Sequence, residues 1–188
     1  PVVCCNFFNI FCVGCYIKEI DMSNQSDSPN QSGVLSDESN MTPEEILNRA
    51  RTRAKEQNLL YAGAVTPEEA WALVCADAAV IVDVRTQEEH KFVGYVPDSV
   101  LIPWMCGNTM IKNPSFISEA SKQLGKDANI LMLCRSAKRS AGAAEALSFA
   151  GYTSVFNIME GFEGDLDENI QRNNINGWRF RKLPWSQE

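Results

Sequence analysis

Cys134 stands where a cysteine acts as a nucleophile more readily than as packing. The apolar run Ile130-Leu131-Met132-Leu133 ends directly on it, and Arg135-Ser136-Ala137-Lys138-Arg139-Ser140 follows before a small-residue stretch over residues 141–150. A thiol at the carboxyl end of a strand, just ahead of a helix, feels the positive end of the helix dipole. Arg135, Lys138 and Arg139 add three cations within five residues. Both influences favour the thiolate, the nucleophilic form. Backbone N–H groups in so tight a loop converge into an anion-binding cradle. The bland alternative is a buried, inert strand-end thiol. That description suits Cys75, within a helical pattern, better than a cysteine followed by a polar cationic turn.

The elements that must position this loop are legible from punctuation and periodicity. Thr42-Pro43-Glu44-Glu45 places a capping hydroxyl, a proline at the first helical position and a carboxylate at the third. Met41 and Ile46 fit a hydrophobic staple around that cap. The helix so begun is expected to run to about residue 58, with a thin apolar stripe that packs on the domain edge or on a partner. The same punctuation at Thr66-Pro67-Glu68-Glu69 opens a helix through about residue 76. Residues 79–84 form a continuous apolar run of strand length, as in a buried parallel strand. Similar runs occupy residues 99–102, 129–133 and 154–158, with helical patterns at about 86–92, 114–124 and 138–150. This alternation implies a doubly wound α/β domain, whose ligands sit beyond the carboxyl ends of the strands.

Composition excludes more than it assigns. The 188 residues carry a net charge of -7, unevenly placed. Residues 1–45 hold one Lys and seven Asp or Glu, or -6; residues 46–188 hold sixteen Lys or Arg and seventeen Asp or Glu, or -1. With no basic stripe to neutralise phosphates, nucleic acid is not an expected partner. Seven cysteines, four of them in the first fifteen residues, do not form a secreted disulfide framework. Cys12 and Cys15 make a C-x-x-C pair without the second half of a zinc site, and His90 is the sole histidine. No metal and no cofactor are called for.

Residues 2–17 are apolar and cysteine-rich, yet shorter than the ~20 residues that cross a bilayer, and lack the features of a secretory signal. They are read as a leader or as non-native sequence ahead of Met22. The sharper alternative is a membrane-contacting segment with acylable cysteines. Residues 23–40, rich in Ser, Asn, Asp and Gln, are expected to be disordered linker. The expected organisation is residues 1–40 as leader and linker, 41–59 as an N-terminal helix, and 60–188 as the main domain with a C-terminal extension. A cytoplasmic location follows from the reduced pattern of the cysteines, and membrane association is not expected.

Four ordered motifs carry a family resemblance. The segment Cys134-Arg135-Ser136-Ala137-Lys138-Arg139-Ser140 resembles the active-site loop of rhodanese-like proteins, commonly C-R-x-G-x-R-S. Val82-Asp83-Val84-Arg85-Thr86 is similar to the family's D-x-R signature after its second strand. Asn157-Ile158-Met159-Glu160-Gly161-Phe162-Glu163-Gly164 resembles its glycine-rich turn, and Gly177-Trp178 through Leu183-Pro184-Trp185 its G-W…L-P-W ending. The resemblance spans roughly residues 60–186. It implies a central, mainly parallel sheet flanked by helices on both faces, and a single-domain sulfurtransferase. An anionic donor such as thiosulfate would leave a persulfide on Cys134, and a thiophilic acceptor, a thiol protein among the candidates, would remove it. By the same resemblance the backbone of residues 135–139 becomes the cradle, and Arg135 and Lys138 steer the donor. Arg139 and Ser140 begin the helix and brace the loop. Asp83 and Arg85 become scaffold, with Glu88 or Glu89 as partner for Arg85. Two departures stand out. The family's glycine is Ala137 here, and alanine fits the cradle only if φ stays below zero. The common G-H-I-P-G-A is Gly94-Tyr95-Val96-Pro97-Asp98-Ser99, without its histidine.

Three other readings compete. A phosphatase of related fold needs C-x5-R, whereas four residues separate Cys134 from Arg139. A binding or regulatory module would keep the fold without turnover. A Cys–His hydrolase would have to use His90, which falls on a helix where packing is the simpler role. Cys106 is a loop thiol without a role or else a resolving cysteine near Cys134. Trp104 and Met105 are expected to wall the entrance to the site, and Trp178 and Trp185 to pack the C-terminal extension.

Overall fold

Threonine followed by proline and two glutamates does here what those residue types dictate. In the computed structural model, which describes residues 41–107 and 109–188, Thr42 accepts from the Glu45 N–H and the Glu45 carboxylate accepts from the Thr42 N–H. Thr66 and Glu69 repeat the arrangement, and Thr86 and Glu89 form a third such box. The chain runs α1 (Pro43–Gln57), β1 (Gly63–Val65), α2 (Pro67–Cys75), β2 (Val80–Asp83), α3 (Gln87–Val93) and β3 (Val100–Leu101). It continues through β4 (Met105–Cys106), β5 (Ile111–Lys112), α4 (Phe116–Gln123), β6 (Ile130–Leu133), α5 (Lys138–Phe149) and β7 (Val155–Ile158). The leader, the linker and Cys4, Cys5, Cys12 and Cys15 lie outside the described residues.

Five strands form one sheet in the order β1-β7-β6-β2-β3, every pair parallel. Alternate residues serve opposite faces, as the two-residue strand period requires. Ile130, Met132 and Cys134 join the core packed against α4 and α5, whereas Leu131 and Leu133 join the core packed against α1 and α2. This is the expected parallel α/β sheet with helices on both faces. Asp83 pairs with Leu133 and with Leu101, so the carboxyl ends of β2, β3 and β6 lie level along one edge.

The long apolar runs became strands within a residue or two of their expected limits. Two features had no such signal. β1 has only three residues and is a strand because β7 supplies its ladder. β4 and β5 form a two-residue antiparallel ribbon of their own. The stripe on α1 covers β1 with Ile46, Leu47, Ala50 and Ala54, and Arg53 grips Glu69 of α2 through two hydrogen bonds at 2.6 and 2.8 Å. The helix therefore packs on the domain edge. Cys75 ends α2 and is exposed, so the expectation that it is buried does not hold. No helix among the described residues is long and apolar enough to cross a membrane.

Candidate active site at Cys134

The β6 register delivers Cys134 to the carboxyl edge of the sheet, and α5 begins four residues later. The thiol is 1% exposed, at the floor of the loop. Its hydrogen-bond donor is the Ser140 hydroxyl, itself fully buried, with Oγ 3.2 Å from the sulfur. Ser140 thus does more than begin the helix: it contacts the Cys134 sulfur. Arg135 and Lys138 are exposed, while Ser136 and Ala137 are half-buried.

The loop is shaped by what holds its carbonyls. Cys134 O accepts from Phe162 N at 2.7 Å, and Arg135 O accepts from Glu163 N and Gly164 N at 2.9 and 3.2 Å. Ala137 O accepts from Asn157 Nδ2 at 3.1 Å and from Ala141 N at 3.1 Å. In a trans peptide the N–H points opposite to the C=O. Drawing these carbonyls toward β7 and its following turn therefore aims the N–H groups of Arg135, Ser136 and Lys138 the other way. The Cys134 side chain itself joins the core on the face opposite to that of Phe162. Among the described residues none of these three N–H groups has a protein acceptor. Unpaired N–H groups in the loop of a buried thiol are what an anion-binding cradle requires.

Ala137 departs from the condition set by its residue type. It holds φ 64, ψ -11, in the left-handed region. An L residue there costs roughly 1–2 kcal/mol, yet a left-handed step after right-handed ones is what curls successive N–H groups into a nest. The loop takes this step with alanine at the cost of that strain. Gly161 makes the other tight approach. A Cβ on it would fall 2.6 Å from the Arg135 carbonyl carbon and the Cys134 oxygen, so glycine lets the turn seat against the loop.

Arg139 turns away from the sulfur-bearing loop to grip Glu89 at 2.7 and 2.6 Å, two parallel hydrogen bonds across to α3. Burial opposes the charge on both partners. It is more than offset on Arg139, held above its ordinary value by Glu89 with help from Cys134 and Asp83. Glu89 is likewise held below the usual carboxylate range by Arg139 and the Thr86 N–H. This corrects the expected pairing of Arg85. Arg85, fully buried, is held by Asp83 at 2.6 Å and by the Gly94 carbonyl at 2.7 Å, with its guanidinium 4.1 Å from the Phe162 ring centre. Asp83 and Arg85 so support the turn that in turn holds the loop.

The remaining candidates are placed elsewhere. His90 stacks on Tyr95 with ring centres 4.5 Å apart, and burial lowers its basicity. Trp104 does not wall an entrance; it is 7% exposed, edge-on to Phe116 and close to Gly142 on α5. Cys106 is exposed and lines a cavity of about 280 Å³ with Met105, Thr86 and Glu88; no residue of the 134–140 loop lines it. Trp178 is fully buried, its indole N–H donating to Pro184 O at 2.8 Å, and Trp185 sits edge-on to Phe162. Sequence reasoning passed over Asn157 and the Glu89–Arg139 pair. The one available signal for Asn157 was a polar residue in an otherwise apolar strand. No group of candidate metal ligands occurs among the described residues.

Comparison with known proteins agrees with the fold. The chain belongs to the rhodanese-like domain family, whose model matches residues 66–168. An uncharacterized protein of Rickettsia conorii is 34% identical over 119 residues, covering 60% of this chain and 87% of that protein. A chloroplastic protein of Arabidopsis thaliana named thiosulfate sulfurtransferase 16 is 37% identical over 82 residues, covering 43% of this chain and 68% of its own length. The crystal structure of Rv0390 from M. tuberculosis superposes with a TM-score of 0.62 at 38% identity, covering 68% of this chain and 99% of that one.

Proposed function

We propose that the protein is a sulfurtransferase that carries sulfane sulfur on Cys134. The observation behind this reading is the tethering of the Cys134, Arg135 and Ala137 carbonyls, which leaves three unpaired N–H groups in the loop of a buried thiol. An anionic donor such as thiosulfate approaches between the exposed cations Arg135 and Lys138. The Cys134 thiolate, steadied by the Ser140 hydroxyl, attacks the terminal sulfur. A new S–S bond forms, the donor's S–S bond breaks, and sulfite leaves with its electron pair. The outer sulfur of the resulting persulfide carries negative charge, which the cradle N–H groups accept as hydrogen bonds. A thiophilic acceptor, cyanide or the thiolate of a protein partner, then takes that sulfur and restores the Cys134 thiolate. The protein is neither oxidised nor reduced over the cycle, and the reaction uses no cofactor.

Peptide mass spectrometry of the reduced protein after thiosulfate, and then after cyanide, tests the reading. The Cys134 peptide should gain one sulfur atom and lose it to cyanide, and Cys134→Ser should gain none. A Cys134 peptide left unmodified by thiosulfate and by other sulfane donors would overturn it in favour of a non-catalytic binding module.

A further inference from the structure

The turn that holds the Cys134 loop is itself held from behind. Glu160 and Gly161 are consecutive left-handed residues, φ 68 and 72, and this double step brings the N–H groups of residues 162–164 onto the loop carbonyls. Glycine adopts such a φ freely; glutamate does not. The Glu160 carboxylate is tied at both oxygens. It accepts from Gly177 N at 2.8 Å, from Arg181 Nε at 2.9 Å and from Arg181 Nη2 at 2.5 Å. The third edge of the Arg181 guanidinium reaches Glu68 of α2 at 2.8 Å. Next to this knot, Trp178 N donates to Gly161 O at 2.9 Å and Arg179 N donates to Phe162 O at 3.2 Å. A continuous set of bonds thus runs from Arg181 through Glu160 and the turn to the carbonyls of Cys134 and Arg135.

We propose that Glu160, clamped by Arg181, is a positioning residue for the anion cradle: it holds the 160–164 turn in the conformation that aims the loop N–H groups at the donor. The proposal rests on the reading of that loop as the seat of an anionic sulfur donor. It assigns a task to Arg181, which lies beyond the 66–168 family match and some forty residues along the chain from the cradle. Loosening the clamp lets the turn relax, the carbonyls of Cys134 and Arg135 lose their fixed direction, and anion selectivity falls before the fold does.

The test compares wild type with Glu160→Gln, Arg181→Met and Arg181→Lys. Alkylation of Cys134 is followed peptide by peptide with iodoacetate, an anion, and iodoacetamide, its neutral counterpart. The rate ratio of the two reads the cradle, whereas a general loss of stability moves both rates together. Glu160→Gln and Arg181→Met should lower that ratio about threefold or more, the scale of a lost oriented dipole near a charge. Arg181→Lys should recover part of it. The apparent KM for thiosulfate should rise more than kcat falls. A wild-type ratio in both Glu160→Gln and Arg181→Met, whatever their melting temperatures, overturns the proposal. A wild-type protein that takes up no sulfur sinks the sulfur-transfer reading instead, while the alkylation ratio still decides the role of Glu160.

Discussion

At Ala137 and Ser140 the demands of a side chain and of the chemistry can be separated. Ala137 has no side-chain hydrogen-bonding duty; what matters there is φ 64. Ala137→Gly removes the left-handed penalty but adds unfolded-chain entropy, so the net gain should be up to about 1 kcal/mol. Urea unfolding of the two proteins measures it, and sulfur uptake by Cys134 should be at least as fast in the variant. Ser140 is the opposite case. Its backbone belongs to an ordinary helix, and its hydroxyl is the group that touches the sulfur. Ser140→Ala should leave the fold intact and slow persulfide formation by about tenfold or more, the scale of a hydrogen bond to a charged acceptor. Stopped-time mass spectrometry of the Cys134 peptide gives the rate, and an unchanged rate would remove Ser140 from the reaction.

Between elements, ion pairs and close contacts fix which helix faces the loop. Glu89 caps α3 and grips Arg139 of α5, so its folded value lies below the ordinary glutamate value of about 4.5. For a lowered carboxylate the sign is fixed: the stabilisation is fully present above the unfolded value and is lost as pH falls through the folded one. Wild type and Glu89→Gln should therefore differ in unfolding midpoint above about pH 4.5 and converge in stronger acid. A gap that widens in acid would contradict the assignment. At the far edge of the sheet, Gly63 lies so close to α1 that a Cβ would strike the Ala50 carbonyl. Gly63→Ala should destabilise the domain by about 1–3 kcal/mol, as overpacking does, with α1 the first element to lose amide protection in hydrogen exchange.

Across the whole molecule, the C-terminal extension is a working part of the domain. Trp178 is fully buried and edge-on to Trp71 of α2, Ser186 bridges to Tyr95, and Gln187 donates to Phe92 O at 2.6 Å. Trp178→Ala should cost about 3–5 kcal/mol, read from denaturant unfolding. Because the same segment backs the 160–164 turn, sulfur uptake should fall at denaturant concentrations where far-ultraviolet helix signal is still native. Simultaneous loss of both signals would show that the extension stabilises the domain without a special hold on the site.

Residue types and local spacing were sufficient for the strand-end position of Cys134, the strand-to-helix loop around it, and the parallel α/β sheet. Those depend on near neighbours: a cap on the carboxylate three residues on, and a buried strand on its own apolar run. The partners were another matter. Nothing local distinguishes Glu88 from Glu89 as a neighbour of Arg85, and the register of β2 against β6 sends Glu89 to Arg139 and leaves Arg85 to Asp83. Nothing local makes residues 63–65 a strand, for only β7 completes their hydrogen bonds. Nor does sequence say that Asn157 would hold the Ala137 carbonyl from twenty residues away. Ala137 shows the boundary most clearly. Its residue type argues against a positive φ, and the structure imposes one because Asn157 and Ala141 hold its carbonyl in place. A loop conformation is the sum of its tethers, and here most of those tethers come from chain that is distant in sequence and adjacent only once the sheet has formed.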